Sequence, residues 1–166
     1  MKSIRFLSTA LALSLLLTAL VLRATDDFSP IPAPAWQLKD VNGRDVSFDQ
    51  FKEKVVVLDF WATWCAPCRS EIPSYVALQK KYAKAGLVIV GVSLDREGPE
   101  VVKKFMIDQK INYPIVLGDE KIVDAFGGVE AIPTTFIIDR HGIVRYRKVG
   151  AMPAGEFEAV VTPFLK

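Results

Sequence analysis

Cysteine and histidine are nearly missing from this chain: of 166 residues, two are Cys and one is His. A structural zinc site takes about four Cys or His ligands, and Cys65, Cys68 and His141 fall short of that, so no metal is expected. The same scarcity excludes a small domain stapled by several disulfides. A bridge between Cys65 and Cys68 would close too short a loop to constrain much of the unfolded chain. No Cys lies near the N-terminus, which excludes a lipid-modified cysteine there. Internal repeats and low-complexity tracts are absent. So is a basic stripe: Lys2, Arg5 and Arg23 stand without an acid in the first 24 residues, which turns the +2 of the whole chain into −1 for the remainder. The body therefore offers nothing for nucleic acid to bind.

What is present starts with Lys2 and Arg5 ahead of an apolar run from Phe6 to Leu22, diluted only by Ser8, Thr9, Ser14 and Thr18. This reads as an export signal over residues 1–24, either cleaved or kept as a membrane anchor. Residues 25–35 include Ser29-Pro30-Ile31-Pro32-Ala33-Pro34-Ala35, a Pro-rich spacer. One folded domain is expected over residues 36–166.

Within that domain, Gln37 to Lys39 and Asp45 to Ser47 flank a turn containing Asn42-Gly43, a hairpin signal. Val55 to Trp61 is apolar except for Asp59, as expected of a central strand covered on both faces. A helix is predicted over Ala66 to Ala85, ended by Gly86 and kinked at Pro73. Leu87 to Leu94 is predicted as a second buried strand and Pro99 to Gln109 as a helix. Tyr113 to Leu117 forms a short strand and Lys121 to Phe126 a short helix. Thr134 to Ile138 and Ile143 to Val149 pair about the Asp139 to Gly142 turn, and a helix from Ala154 to Leu165 closes the chain. Alternation of this kind builds a mixed sheet with helices on both faces.

Trp64-Cys65-Ala66-Pro67-Cys68 falls where the central strand gives way to a helix. A thiol at a helix N-terminus faces free backbone N–H groups and the positive end of the helix dipole, which favour thiolate. Cys65 is the expected exposed nucleophile, and Cys68, one turn further in, the shielded resolving thiol. Two inert buried thiols would leave Pro67 and the strand-to-helix junction without a reason. His141 sits in a turn with no acid or nucleophile beside it in sequence and is read as non-catalytic.

The segment Val57 to Cys68 resembles the active-site segment of thioredoxins, and Ile132-Pro133-Thr134-Thr135-Phe136 resembles their second landmark. Cys65 to Pro73 reads Cys-x-x-Cys-x-x-Glu-x-Pro, as in the exported TlpA/ResA branch of the superfamily, and the likeness runs from Trp36 to Lys166. It implies an α/β thioredoxin-like fold with an N-terminal hairpin and an inserted helix-strand segment between Leu94 and Pro133. It also implies a cis Ile132-Pro133 bond facing the cysteines, with substrate binding by Ile132, Pro133 and Thr134. Trp64 would shape an apolar rim, while Trp61 is read as core. Two acids could handle the proton. Asp59 resembles the buried acid of thioredoxins; Glu71, one turn after Cys68, resembles that of the ResA type. Leu94-Asp95 replaces the strand lysine that partners the buried acid in many thioredoxins.

The resemblance implies an exported thiol-disulfide oxidoreductase that needs no cofactor. Ala66-Pro67 places no His between the cysteines to stabilise the thiolate further, which points to a reductant of protein disulfides. Its substrates would be disulfide-containing exported proteins, apocytochrome c among them, and its electrons would come from a membrane donor protein. Three other readings stay open: a disulfide oxidase or isomerase, a peroxiredoxin-like peroxidase, and a non-enzymatic binding module. The peroxidatic pattern Pro-x-x-x-Thr-x-x-Cys is absent around Cys65.

Overall fold

The structure, a computed structural model, describes residues 30–166. The signal or anchor expected over residues 1–24 and the start of the spacer lie outside the described residues.

A run such as Val55–Trp61 can stay apolar on both sides only if both faces of its sheet are covered. That strand, β4, is buried at all seven positions and sits between two other strands of a sheet that has eight strands among the described residues. The strands are β1 (Ile31–Pro32), β2 (Gln37–Asp40), β3 (Asp45–Ser47), β4, β5 (Leu87–Ser93), β6 (Ile115–Leu117), β7 (Thr134–Ile138) and β8 (Ile143–Val149). They are ordered β1-β8-β7-β4-β5-β6-β2-β3. Strands β4, β5 and β6 are parallel, whereas β7 runs antiparallel to β4. The sheet is therefore mixed, as the alternation of elements predicts.

Helix α1 (Ala66–Tyr82) follows β4, α2 (Pro99–Asp108) links β5 to β6, α3 (Glu120–Ala125) precedes β7, and α4 (Ala154–Val161) ends the chain with a 3-10 turn. The helix expected to reach Ala85 stops at Tyr82. Ala83–Ala85 continue as a 3-10 turn, and Gly86 takes a left-handed φ of 90° that favours a residue without Cβ. Alternation along β4 sends Val55, Val57 and Trp61 to one core layer with Ile72, Tyr75, Leu78, Val102 and Phe157. Val56, Leu58 and Phe60 enter the other, with Ile122, Phe126 and Phe136. Asp59 shares the parity of Val57 and Trp61, so it projects toward α1.

The N-terminal hairpin extends the sheet past β6, with Lys39 opposite Leu117 and Asp40 opposite Val116. Its turn is organised by Asp40, whose Oδ1 accepts from the backbone N–H groups of Asn42 and Arg44 at 2.8 and 2.9 Å. Asp139 does the same for the β7–β8 turn, accepting from the N–H groups of His141 and Ile143. This explains His141 as a turn residue. The end of the expected spacer is used differently: Ile31 and Pro32 pair with Val144 and Ile143 as an edge strand. An edge tolerates Pro32 because its missing N–H can face away from the ladder.

Gly91 on β5 leaves the space that Trp61 occupies. A Cβ there would stand 2.8 Å from Trp61 Nε1 and 2.5 Å from Ile115 Cδ1. Ile115 can turn aside, but the indole is held against Phe105 at 5.4 Å between ring centroids. Gly91→Ala is expected to destabilise the fold by about 1–3 kcal/mol through overpacking, measured by urea unfolding. An unchanged midpoint would mean that this layer has slack.

Candidate active site

The β4 strand runs straight into the site. Cys65 is the N-cap of α1, with extended backbone, and Pro67 sits in the first helical turn, where its missing N–H costs no helical bond. Cys65 Sγ accepts from the N–H of Cys68 at 3.2 Å, and the turn before it closes through Cys65 N to Ala62 O at 3.1 Å. The two sulfurs are bonded to each other, with an S–S distance of 2.02 Å. The expected contrast in exposure is absent in this disulfide form: Cys65 is 4% exposed and Cys68 2%. What distinguishes them is position. Cys65 stands at the helix mouth with an N–H on its sulfur, and Trp64 beside it is 63% exposed.

The Ile132-Pro133 bond is cis, and the Ile132 carbonyl oxygen lies 3.7 Å from Cys65 Sγ. Pro133 is buried, and its carbonyl accepts from Gly150 N at 2.8 Å. Thr134, expected to contact substrate, is completely buried, and its hydroxyl donates to Ala131 O at 2.7 Å. Its side chain therefore shapes the loop from inside. Of the three loop residues, half-buried Ile132 is the one set against the disulfide.

Both acids are buried on the α1 side of the sheet, where the apolar cluster includes both cysteines, Asp59 at 5% exposure and Glu71 at 3%. Asp59 Oδ1 accepts from the Thr135 hydroxyl at 3.1 Å, and that hydroxyl is 3.1 Å from Tyr75 OH. Burial, reinforced by the neighbouring Glu71 carboxylate, pushes the Asp59 pKa up to about 8. Burial also pushes Glu71 up, to about 7, against the lowering effect of the Met152 N–H. That N–H donates to Glu71 Oε1 at 2.6 Å, while the buried Oε2 has no partner among the described residues. Met152 packs in the same apolar cluster as both cysteines. Its contribution through a backbone N–H leaves no mark on the sequence.

Trp61 is core, as read, buried against Phe105. Asp95 does not stand in for a lysine beside Asp59. Its carboxylate instead accepts from Thr63 and Ser93 at the edge of the active-site turn. The β5 residue opposite Asp59 is Gly91, so the replacement expected at Leu94-Asp95 lies past the end of the strand and does not face the acid.

Two cysteines bonded across one helical turn at a strand-to-helix junction can exchange their disulfide for one on another molecule. The chain is an enzyme of that class, a thiol-disulfide oxidoreductase on a thioredoxin-like fold. It belongs to the AhpC/TSA family, whose model matches residues 31–147. It is 38% identical over 127 residues to the thioredoxin-like protein YneN of Bacillus subtilis, covering 76% of this chain and 74% of that one. It is 40% identical over 122 residues to the thiol-disulfide oxidoreductase ResA of the same organism, covering 72% of this chain and 66% of that one. Among solved structures, a thiol:disulfide interchange protein of the thioredoxin family from Chlorobium tepidum superposes with a TM-score of 0.76 at 37% identity. That match covers 84% of this chain and 99% of the other.

Proposed function

We propose that the protein works outside the cytoplasm as a reductant of disulfides in exported proteins. The observation that carries this reading is the Cys65–Cys68 bond at the mouth of α1, set against the Ile132 carbonyl, with Glu71 buried one helical turn after Cys68. In the reduced protein, the Cys65 thiolate attacks one sulfur of a substrate disulfide, and the other substrate sulfur leaves as a thiolate that takes up a proton. Cys68 then gives its proton to Glu71 and attacks Cys65 Sγ. The second substrate thiol is released, and the Cys65–Cys68 bond forms. Two electrons pass to the substrate, and a dithiol donor in the membrane must return them.

The two carboxylates divide the labour by their surroundings. Burial pushes both pKa values up, to about 8 for Asp59 and about 7 for Glu71, but Asp59 is engaged by the Thr135 hydroxyl, whereas Glu71 lies one helical turn after Cys68 with Oε2 unpartnered among the described residues. A base titrating near neutral pH is matched to the thiol it must deprotonate. Ile132 offers backbone for an extended substrate segment, and Trp64 an apolar rim beside it. Export through residues 1–24, by cleavage or as an anchor, completes the assignment; reduction of apocytochrome c before haem attachment is one task that fits.

The test is the reduction potential of the Cys65/Cys68 couple in a glutathione or dithiothreitol buffer, with turnover of a protein disulfide. A reductant should sit near or below the thioredoxin value of about −270 mV, whereas a strong oxidant lies near about −120 mV. A potential at the oxidising end would transfer the protein to the oxidase or isomerase reading. No turnover in either direction would favour a binding module.

A further inference from the structure

We propose that Asp95 is a positioning residue for the nucleophile: through Thr63 it clamps the turn that carries Cys65. This rests on the reading of Cys65 as the attacking thiol. Strands β4 and β5 run together as far as Trp61 opposite Ser93, and Leu94 N donating to Trp61 O at 2.8 Å closes the last rung. Beyond that rung the ladder holds nothing, yet the chain must make a tight turn within four residues and deliver Cys65 as a helix cap. Asp95 spans the gap. The Thr63 N–H is shared between Asp95 Oδ1 and Oδ2 at 3.2 and 3.0 Å, and the Thr63 hydroxyl donates to Oδ1. The carboxylate is itself braced by the Ser93 hydroxyl at 2.8 Å on Oδ2.

Two residues further on, everything that Cys65 does depends on where its sulfur is. Sγ must stay on the Cys68 N–H, which supports the thiolate, and beside the Ile132 carbonyl, where substrate docks. A turn released at Thr63 would let the cap drift, and about 1 Å of misplacement can cost on the order of 100-fold in rate. Hydrogen bonds to a carboxylate are stronger than neutral ones, which suits a clamp at a half-exposed site.

Asp95 also lines a cleft of about 510 Å³ with Leu94, Arg96, Asp119, Val123 and Val129. Direct contact with something bound there is the competing role, and Thr63 separates the two, since it shares the clamp but does not line the cleft. The experiment uses the full chain, insulin as the disulfide probe, and iodoacetamide alkylation of Cys65 across pH. Asp95→Ala is expected to lower kcat/KM about 10-fold, mainly in kcat, and to alter the pH profile of Cys65 alkylation. Thr63→Val should lose about 3-fold and shift that profile upward, with Thr63→Ser restoring both. The Thr63→Val/Asp95→Ala double variant should lose no more than Asp95→Ala alone, because partners in one network are not additive.

Thr63→Val at wild-type rate and profile, beside an Asp95→Ala that is slow but keeps the wild-type alkylation profile, would overturn the proposal in favour of cleft contact. Both variants at wild-type values would overturn it outright. Should Asp95→Ala fail to fold, Thr63→Val against Thr63→Ser decides alone. Alkylation of Cys68 before Cys65 in the unaltered protein would instead defeat the reading of the nucleophile, independently of Asp95.

Discussion

Cys65→Ser is expected to abolish disulfide turnover, and Cys68→Ser is expected to accumulate mixed disulfides with substrate. Both follow from the position of the two sulfurs. At the N-cap of α1, Cys65 has the Cys68 N–H on its sulfur and the dipole of a 17-residue helix behind it. Such surroundings lower a thiol's pKa below its free value of about 8.5. Cys68 lies one turn inside the helix, 2% exposed, and can reach only the sulfur in front of it. Loss of the attacking thiolate leaves no group to open the substrate disulfide, so the rate should fall to that of the uncatalysed exchange. Loss of the resolving thiol leaves the first step intact and the second without an attacker. Non-reducing electrophoresis of each variant, incubated with a disulfide protein, reads both results. A trap formed by Cys65→Ser and absent from Cys68→Ser would exchange the roles.

Much of this site can be read from a single sequence because its chemistry is local. Cys65, Cys68 and Glu71 are spaced by one helical turn each, and a helix is signalled by Pro67 near its start and Gly86 past its end. The apolar run around Asp59 likewise declares a buried strand with a buried acid. What the sequence hides depends on residues distant in the chain. Thr63 meets Asp95 across 32 positions, and Glu71 meets the N–H of Met152 across 81. No periodicity or composition encodes such pairs. Thr134 shows the same limit: its motif places it at the loop, while its burial comes from pairing in β7 with Phe60 on one side and Val149 on the other, strands distant in the chain. Ile31 and Pro32 read as spacer because Pro disfavours a central strand, and the structure uses them at an edge, where that objection does not hold.

Asp59→Asn is expected to stabilise the protein at alkaline pH and to make its loss of stability between about pH 4 and pH 8 shallower, leaving the part between about pH 4.5 and pH 7 that the raised Glu71 contributes. In the folded chain Asp59 titrates near 8, against an ordinary value of 3.8. Below the ordinary value both folded and unfolded chains hold the proton, and the group has no effect on the difference between them. Between the two values the folded state keeps a proton that the unfolded chain has released, so stability falls as pH rises. Above about 8 the loss is complete and constant. A tenfold difference in proton affinity between the folded and unfolded chains corresponds to about 1.4 kcal/mol, and relaxation of the site reduces the total to a few kcal/mol. Asparagine keeps an oxygen for the Thr135 hydroxyl but brings an NH₂ group that needs a partner, at a cost of about 1–3 kcal/mol. The variant should therefore equal or fall below the unaltered protein at pH 4 and exceed it at pH 9, as read by urea unfolding of the disulfide form. Glu71→Gln should behave differently. It retains an oxygen for the Met152 N–H but removes the base, so turnover at neutral pH should fall about 10 to 100 fold. It also removes the neighbouring charge that helps to raise Asp59, which should draw the alkaline end of the stability decline toward lower pH. A decline that survives Asp59→Asn undiminished and vanishes in Glu71→Gln would assign the titration to Glu71, and unchanged turnover in Glu71→Gln would leave water as the base.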